Sequence, residues 1–175
     1  MTSTRSRGRR PDVDRIAAVP DAVLAVLVRC GHLLCALPAA GVRRLLLADE
    51  VAPETYVGVP CVRAAGARFA VWELGALLGL PGPSASVILL DLQHGSTTVA
   101  LALAAGPCLA VQDLVRSPAL PGALFRDRRA AFTGVFPTWQ ARVPVSDAAF
   151  GLWIDPAALF RPEELTAAEA AGTAP

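Results

Sequence analysis

The sequence predicts a mainly β protein made of two similar halves around a shared core, and three observations carry that prediction. Short aliphatic runs broken by glycine turns recur along most of the chain, as buried strands do. The pattern that starts near residue 22 starts again near residue 86, an offset of 64 residues, too long for a solenoid unit and suited to a duplicated half-domain. Helix spacing replaces strand spacing only in short stretches.

Val23 to Cys30 is a continuous aliphatic run ended by Gly31-His32, and Leu33 to Leu37 is a second; together they predict a hairpin of two buried strands. Pro38 closes it, Ala39-Ala40-Gly41 links onward, and Val42 to Leu47 resumes a strand. Asp49 to Glu54 is polar, contains Pro53 and reads as a loop. Val57 to Val62 and Arg68 to Trp72 flank Ala64-Ala65-Gly66 as a second strand pair with a tight turn. From Glu73 to Leu80 the leucines fall at 74, 77 and 78, the one-face spacing of a short helix stopped by Gly79 and Pro81.

The second half repeats the first. Val87 to Leu92, a turn at His94-Gly95, Thr97 to Leu103, a linker Ala104-Ala105-Gly106 and Cys108 to Val115 follow in the same order. Ala130 to Phe136 and Phe150 to Ile154 are later strands, and Asp155-Pro156 opens a helical turn that echoes Glu73 to Leu78. Gln140 to Ala148 reads as a polar loop. Glu163 to Ala171 holds strong helix formers and predicts a C-terminal helix. The domain reading is a disordered basic tail over 1–20, the paired halves over 21–162 and a helix with tail over 163–175.

Composition narrows the function. A hydrophobic share of 54% with only 6% aromatics and a mean hydropathy of +0.48 predicts small-aliphatic packing. All sixteen basic residues are arginine, and a net charge of +1 gives no global attraction to nucleic acid or anionic lipid. Arg5, Arg7, Arg9, Arg10 and Arg15 crowd the start, but no aromatics interleave with them and no DNA-binding motif follows, so a solvated arm is expected. Arg9-Arg10 ahead of Ala22 to Val28 has the outline of a leader; Asp12, Asp14 and Asp21 intervene, and the run reads as a strand. The longest apolar run, Val99 to Val111, is shorter than the about 20 residues a membrane helix needs, so no membrane insertion is expected.

Cys30, Cys35, Cys61 and Cys108 sit inside apolar segments, as core thiols in a reducing cytosol do. Cys30, His32 and Cys35 with Cys61 or Cys108 make a zinc site conceivable, but the spacing and the opposed strand faces expected for it suit zinc poorly. His32 and His94 both lie in predicted turns, and no phosphate loop, nucleophile elbow or metalloprotease motif occurs. A non-enzyme without cofactor or metal is expected. Trp139, after Pro137 in a polar stretch, is expected to be exposed and able to anchor a partner, whereas Trp72 and Trp153 are expected inside. Arg126, Arg128 and Arg129 form a basic cluster suited to an acidic partner surface.

The segment YVGVPCVRAAGARFAVWELGALLGLP, Tyr56 to Pro81, resembles the CheW-like domain family: Gly66 falls on its turn glycine, Glu73-Leu74 on its Asp-Leu pair and Leu78-Gly79 on its helix end. Upstream, VLVRCGHLLCALPAAGVRRLL is similar to that family's opening hairpin; downstream, VILLDLQHGSTTVALAL, FTGVF and GLWIDPAALF fall in the expected order, so the resemblance covers residues 22 to 160. It implies two five-stranded, SH3-like β-barrels around a shared core. It also implies a cytoplasmic, non-catalytic adaptor between the cytoplasmic tip of chemoreceptors and the regulatory domain of a CheA-type histidine kinase. Val59, Val62, Arg63, Gly66, Arg68 and Glu73, with Trp139, are the implied partner-binding residues. Ala65 stands where the family has arginine, Ala70 where it has proline and Ala104 where it often has aspartate. These losses favour as alternative a CheW-like module in another motility, polarity or regulatory complex; a small-ligand or metal-binding barrel is the third reading.

Overall fold

Strands buried on both faces need an unbroken apolar run, whereas half-buried ones alternate. The structure, a computed structural model, describes residues 22–80, 82–117, 131–143 and 149–173. The first two runs form β1 (Ala22–Cys30) and β2 (Leu33–Pro38), and β3 (Val42–Leu47) follows a short 3₁₀ turn. The stretch expected to be a loop instead ends in a strand, β4 (Ala52–Tyr56), which pairs with β5 (Val59–Ala64). Among the described residues β4 has a partner on one side only, which is why it accommodates Pro53.

β6 (Ala67–Glu73) leads into α1 (Leu74–Leu78), which Gly79 ends at φ +69°, a left-handed C-terminal cap. Then come β7 (Ser86–His94), β8 (Thr97–Ala105), β9 (Cys108–Val115), β10 (Phe132–Pro137) and β11 (Phe150–Ile154). Asp155 caps the 3₁₀ turn Pro156–Leu159 by accepting from the Ala157 N–H at 3.0 Å, and α2 (Pro162–Thr173) closes the described chain. The expected tail over 1–20 and the Arg126, Arg128 and Arg129 cluster lie outside the described residues.

The strands make two sheets, in the orders β3-β7-β8-β6-β5-β4 and β9-β1-β2-β11-β10. Setting β7 on β1, β8 on β2, β3 on β9, β6 on β11 and β5 on β10 makes the orders identical over five strands. Each sheet also has one parallel pair in the same place, β6 with β8 and β11 with β2. A half of the sequence is nevertheless not a sheet of its own. The β1–β2 hairpin of the first half sits in the sheet of the second, and the β7–β8 hairpin sits in the sheet of the first.

The two closed barrels expected from the resemblance are not what the pairing forms. Closure needs a continuous ladder between first and last strands. Among the described residues β3 and β4 have none, and β9 meets β10 only through the single bridge Ser117–Val135 and the Arg116 guanidinium on the Thr133 carbonyl. β9 spends edge groups on a 3₁₀ turn instead: the Val115 N–H donates to Gln140 Oε1 at 3.2 Å, and Gln112 donates to the Gln140 carbonyl at 2.8 Å.

Both faces of each sheet are nonetheless packed. A central core takes Val26, Val28, Leu37, Ile88, Leu90, Leu101 and Leu103 from both sheets. The alternate positions of the same strands fill two outer cores. Ala25, Leu27, Leu34 and Ala36 lie with Phe136 and Trp153, while Val87, Leu89 and Ala102 lie with Val62 and Phe69. This two-sided burial accounts for the high mean hydropathy. α2 packs on β6 and β8 through Leu165, Ala168 and Ala171. No helix among the described residues is long and apolar enough to cross a membrane.

Candidate partner-binding site

The register of β4, β5 and β6 decides which predicted residues meet. Glu54 lies opposite Cys61, and Arg63 lies directly opposite Arg68. Like charges facing each other across strands repel. The Glu54 carboxylate resolves that conflict: Oε1 accepts from Arg68 Nε at 2.5 Å, and Oε2 accepts from Arg63 Nη2 at 3.2 Å and Nε at 3.3 Å. Arg68 also lies over the Tyr56 ring, its guanidinium carbon 4.3 Å from the centroid, a favourable cation–π placement. The Arg68 hydrogen bond, with Arg63 second, holds the Glu54 carboxyl below its ordinary value.

The two arginines thus have different characters. Arg68 has a side chain only 13% exposed and is held by the Glu54 carboxylate and the Tyr56 ring, whereas Arg63 keeps 45% of its side chain in water. Neither is a free replacement for the arginine absent at Ala65, because both share Glu54. Ala65 and Gly66 form the β5–β6 turn with φ +49° and +81°, the positive pair that a two-residue type I′ hairpin requires. Val57 and Gly58 do the same between β4 and β5, with φ +48° and +79°. Val57 there is 85% exposed, so a β-branched side chain occupies a strained conformation with little packing in return.

The remaining predicted residues are dispersed. Val59 is half-buried against the central core, whereas Val62 is buried with Leu46, Phe69 and Val87 on the opposite face of the sheet and serves packing. Glu73 is exposed at the start of α1 and makes no side-chain cap. Trp139 is 77% exposed and lies in the 3₁₀ turn Thr138–Ala141, which follows β10 of the other sheet. It borders an open groove with Leu24, Val111, Asp113 and Arg142. Trp153 is buried, and Trp72 meets Phe160 edge-on with centroids 5.3 Å apart.

Glu54, which organises this platform with Tyr56, was not a candidate because Asp49 to Glu54 reads as a loop. The available signal was the alternation of Ala52, Glu54 and Tyr56 just before a Val-Gly turn. The metal reading also changes: no group of three or more metal-ligating side chains exists among the described residues. One of the two reasons expected for this, opposed strand faces, does not hold, since Cys30 and Cys35 share one face of the β1–β2 hairpin and both enter the central core. Chemically, the site offers an ordered cation pair, an aromatic ring and an exposed aliphatic turn, which suit binding to a protein surface.

These features define an internally repeated, two-sheet β fold with exchanged hairpins and a C-terminal helix. That fold is shared with the scaffolding protein TtCheW from Thermoanaerobacter tengcongensis, at a TM-score of 0.57 and 15% sequence identity, over 83% of this chain and 92% of that one. At such identity the likeness is one of CheW-like fold. No family model matches the chain, and no curated protein matches it.

Proposed function

We propose that the chain is a non-catalytic, cytoplasmic coupling adaptor joining chemoreceptor tips to the regulatory domain of a CheA-type histidine kinase. The observation that supports this reading most is the fold shared with a scaffolding protein over 83% of the chain, together with a surface that offers contacts. Arg63 and the Val57 turn supply one contact, with Val59, Gly66, Arg68 and Glu73 shaping the strands around it. The exposed Trp139, in the turn after β10 of the other sheet, supplies a second. Two contacts associated with different sheets suit a protein that bridges two partners. A pull-down with cognate kinase and receptor fragments tests the reading. Binding to both, weakened by Arg63→Glu for one partner and by Trp139→Ala for the other, is expected; no binding to either at roughly tens of micromolar overturns it.

A second reading is favoured by Ala65, Ala70 and Ala104, where side chains that the resemblance associates with coupling are reduced to methyl groups. In it the same surfaces serve another motility, polarity or regulatory assembly. Crosslinking in cells separates the two readings by the partner recovered.

A further inference from the structure

The first hairpin carries chemistry that an adaptor role does not use. In the β1–β2 register Val28 faces Cys35 and Cys30 faces Leu33, so the two cysteines are diagonal neighbours on the face that enters the central core. The two thiols act on each other unequally. Hydrogen bonding with Cys35 draws Cys30 below the ordinary thiol value, and the same pairing, with burial, holds Cys35 well above it. Cys61 and Cys108 are both pushed up, burial being the first cause.

Access is unequal too. Both thiols are buried, Cys35 fully and Cys30 with 3% of its surface exposed, but only Cys30 borders a cavity of about 130 Å³ that Gly31, Gly75, Gly82, Ser84 and Gly106 also line. Glycine is what keeps these segments close: a Cβ at Gly75 would lie 2.5 Å from the Leu80 carbonyl oxygen, and one at Gly106 would lie 2.0 Å from that of Arg29. A single water needs only about 10–15 Å³ of such cavity volume, so the cavity has room for a molecule as small as hydrogen peroxide.

We propose that Cys30 and Cys35 are an oxidative modification site for small hydroperoxides, Cys30 attacking and Cys35 resolving. The Cys30 thiolate attacks one peroxide oxygen; an S–O bond forms, the O–O bond breaks, and the leaving hydroxide becomes water with the proton lost from Cys30. The Cys35 sulfur then displaces hydroxide from the Cys30 sulfenic acid, forming the disulfide and a second water. Two thiols are oxidised by two electrons and one peroxide is reduced. Diagonal Cα atoms lie about 7–8 Å apart, at or beyond the span of a relaxed disulfide. The bond therefore twists the hairpin and is easily reduced again.

Hydrogen peroxide on the intact, pre-reduced chain tests this, because trypsin releases both cysteines in one peptide, residues 30–43. That peptide should lose two hydrogens, regain them with dithiothreitol, and react about tenfold faster than Cys61 or Cys108, since reactivity follows thiolate character and Cys30 alone is shifted toward it. In Cys35→Ala a dimedone adduct should build up on Cys30. Oxidation of the more exposed Cys108 first, or a peptide 30–43 that keeps all its hydrogens, overturns the proposal; the wild-type peptide decides the matter even where the variant fails to fold.

Discussion

The two sheets share one strand order and differ in what they do with it. The five-stranded sheet fills its outer core with aromatics: Phe136 and Trp153 meet edge-to-face with centroids 6.2 Å apart. Gly151 makes that possible, since a Cβ there would lie 2.2 Å from the Phe136 ring. The six-stranded sheet uses smaller residues in the equivalent space, Val62, Ala64 and Ala102 with a single Phe69. It places its chemistry at the periphery, where Glu54, Arg63 and Arg68 form the ion network. Duplicating a strand order therefore settles topology without settling the use of each copy: one concentrates packing, the other presents charge at its edge.

Core truncation should break this comparison most sharply. Trp153→Ala should cost about 3–5 kcal/mol, the usual range for emptying a buried aromatic site. Val62→Ala in the opposite core should cost only about 1.5 kcal/mol, two methylene equivalents of burial. Urea midpoints of both variants check the difference, and equal losses would mean that the two outer cores bear equal weight. Next in size, Gly151→Ala should cost about 1–3 kcal/mol through overpacking. Adding Phe136→Leu should return part of that loss, a non-additive pair in a double-mutant cycle.

The parts of this fold legible in the sequence are those that burial dictates locally. β1, β2, β7 and β8 stand out because both faces are buried over most of their length, so each carries an unbroken apolar run, Ala22 to Val28, Leu33 to Leu37, Val87 to Leu90 and Val99 to Ala105, and α1 stands out through its leucine spacing and Gly79. β4 was hidden because an edge strand tolerates Pro53 and alternates with polar residues. The hairpin exchange was hidden for a different reason: a buried strand's composition records that it has neighbours, not which ones. The same limit applies to the platform, where Glu54 reaches arginines nine and fourteen positions away, and to the shared face of Cys30 and Cys35, which depends on the register across Gly31.

The turns of the six-stranded sheet offer a gain of stability where the cores offer losses. Val57 pays for a left-handed conformation that disfavours side chains by about 1–2 kcal/mol, and asparagine tolerates it better. Val57→Asn, which creates the Asn-Gly pair preferred in type I′ hairpins, should stabilise by about 0.5–1 kcal/mol. Thermal unfolding checks this, and a loss of stability would show that Val57 packs in a way its exposure conceals.

Glu54→Gln should give the smallest change and the most informative one, because its effect depends on pH. The folded chain holds this carboxyl below its ordinary 4.5, so the unfolded chain takes up the proton at a higher pH than the folded one. The contribution of the pairing is therefore complete above the ordinary carboxylate range and is lost as pH falls through the lowered value. Wild type should exceed Glu54→Gln in urea midpoint near neutrality, and the gap should close in acid. Salt should narrow it as well, since the network is partly exposed. A gap independent of pH would locate the role of Glu54 in strand packing; a gap that closes would show that the six-stranded sheet depends on charge pairing at the edge where its counterpart depends on aromatic burial.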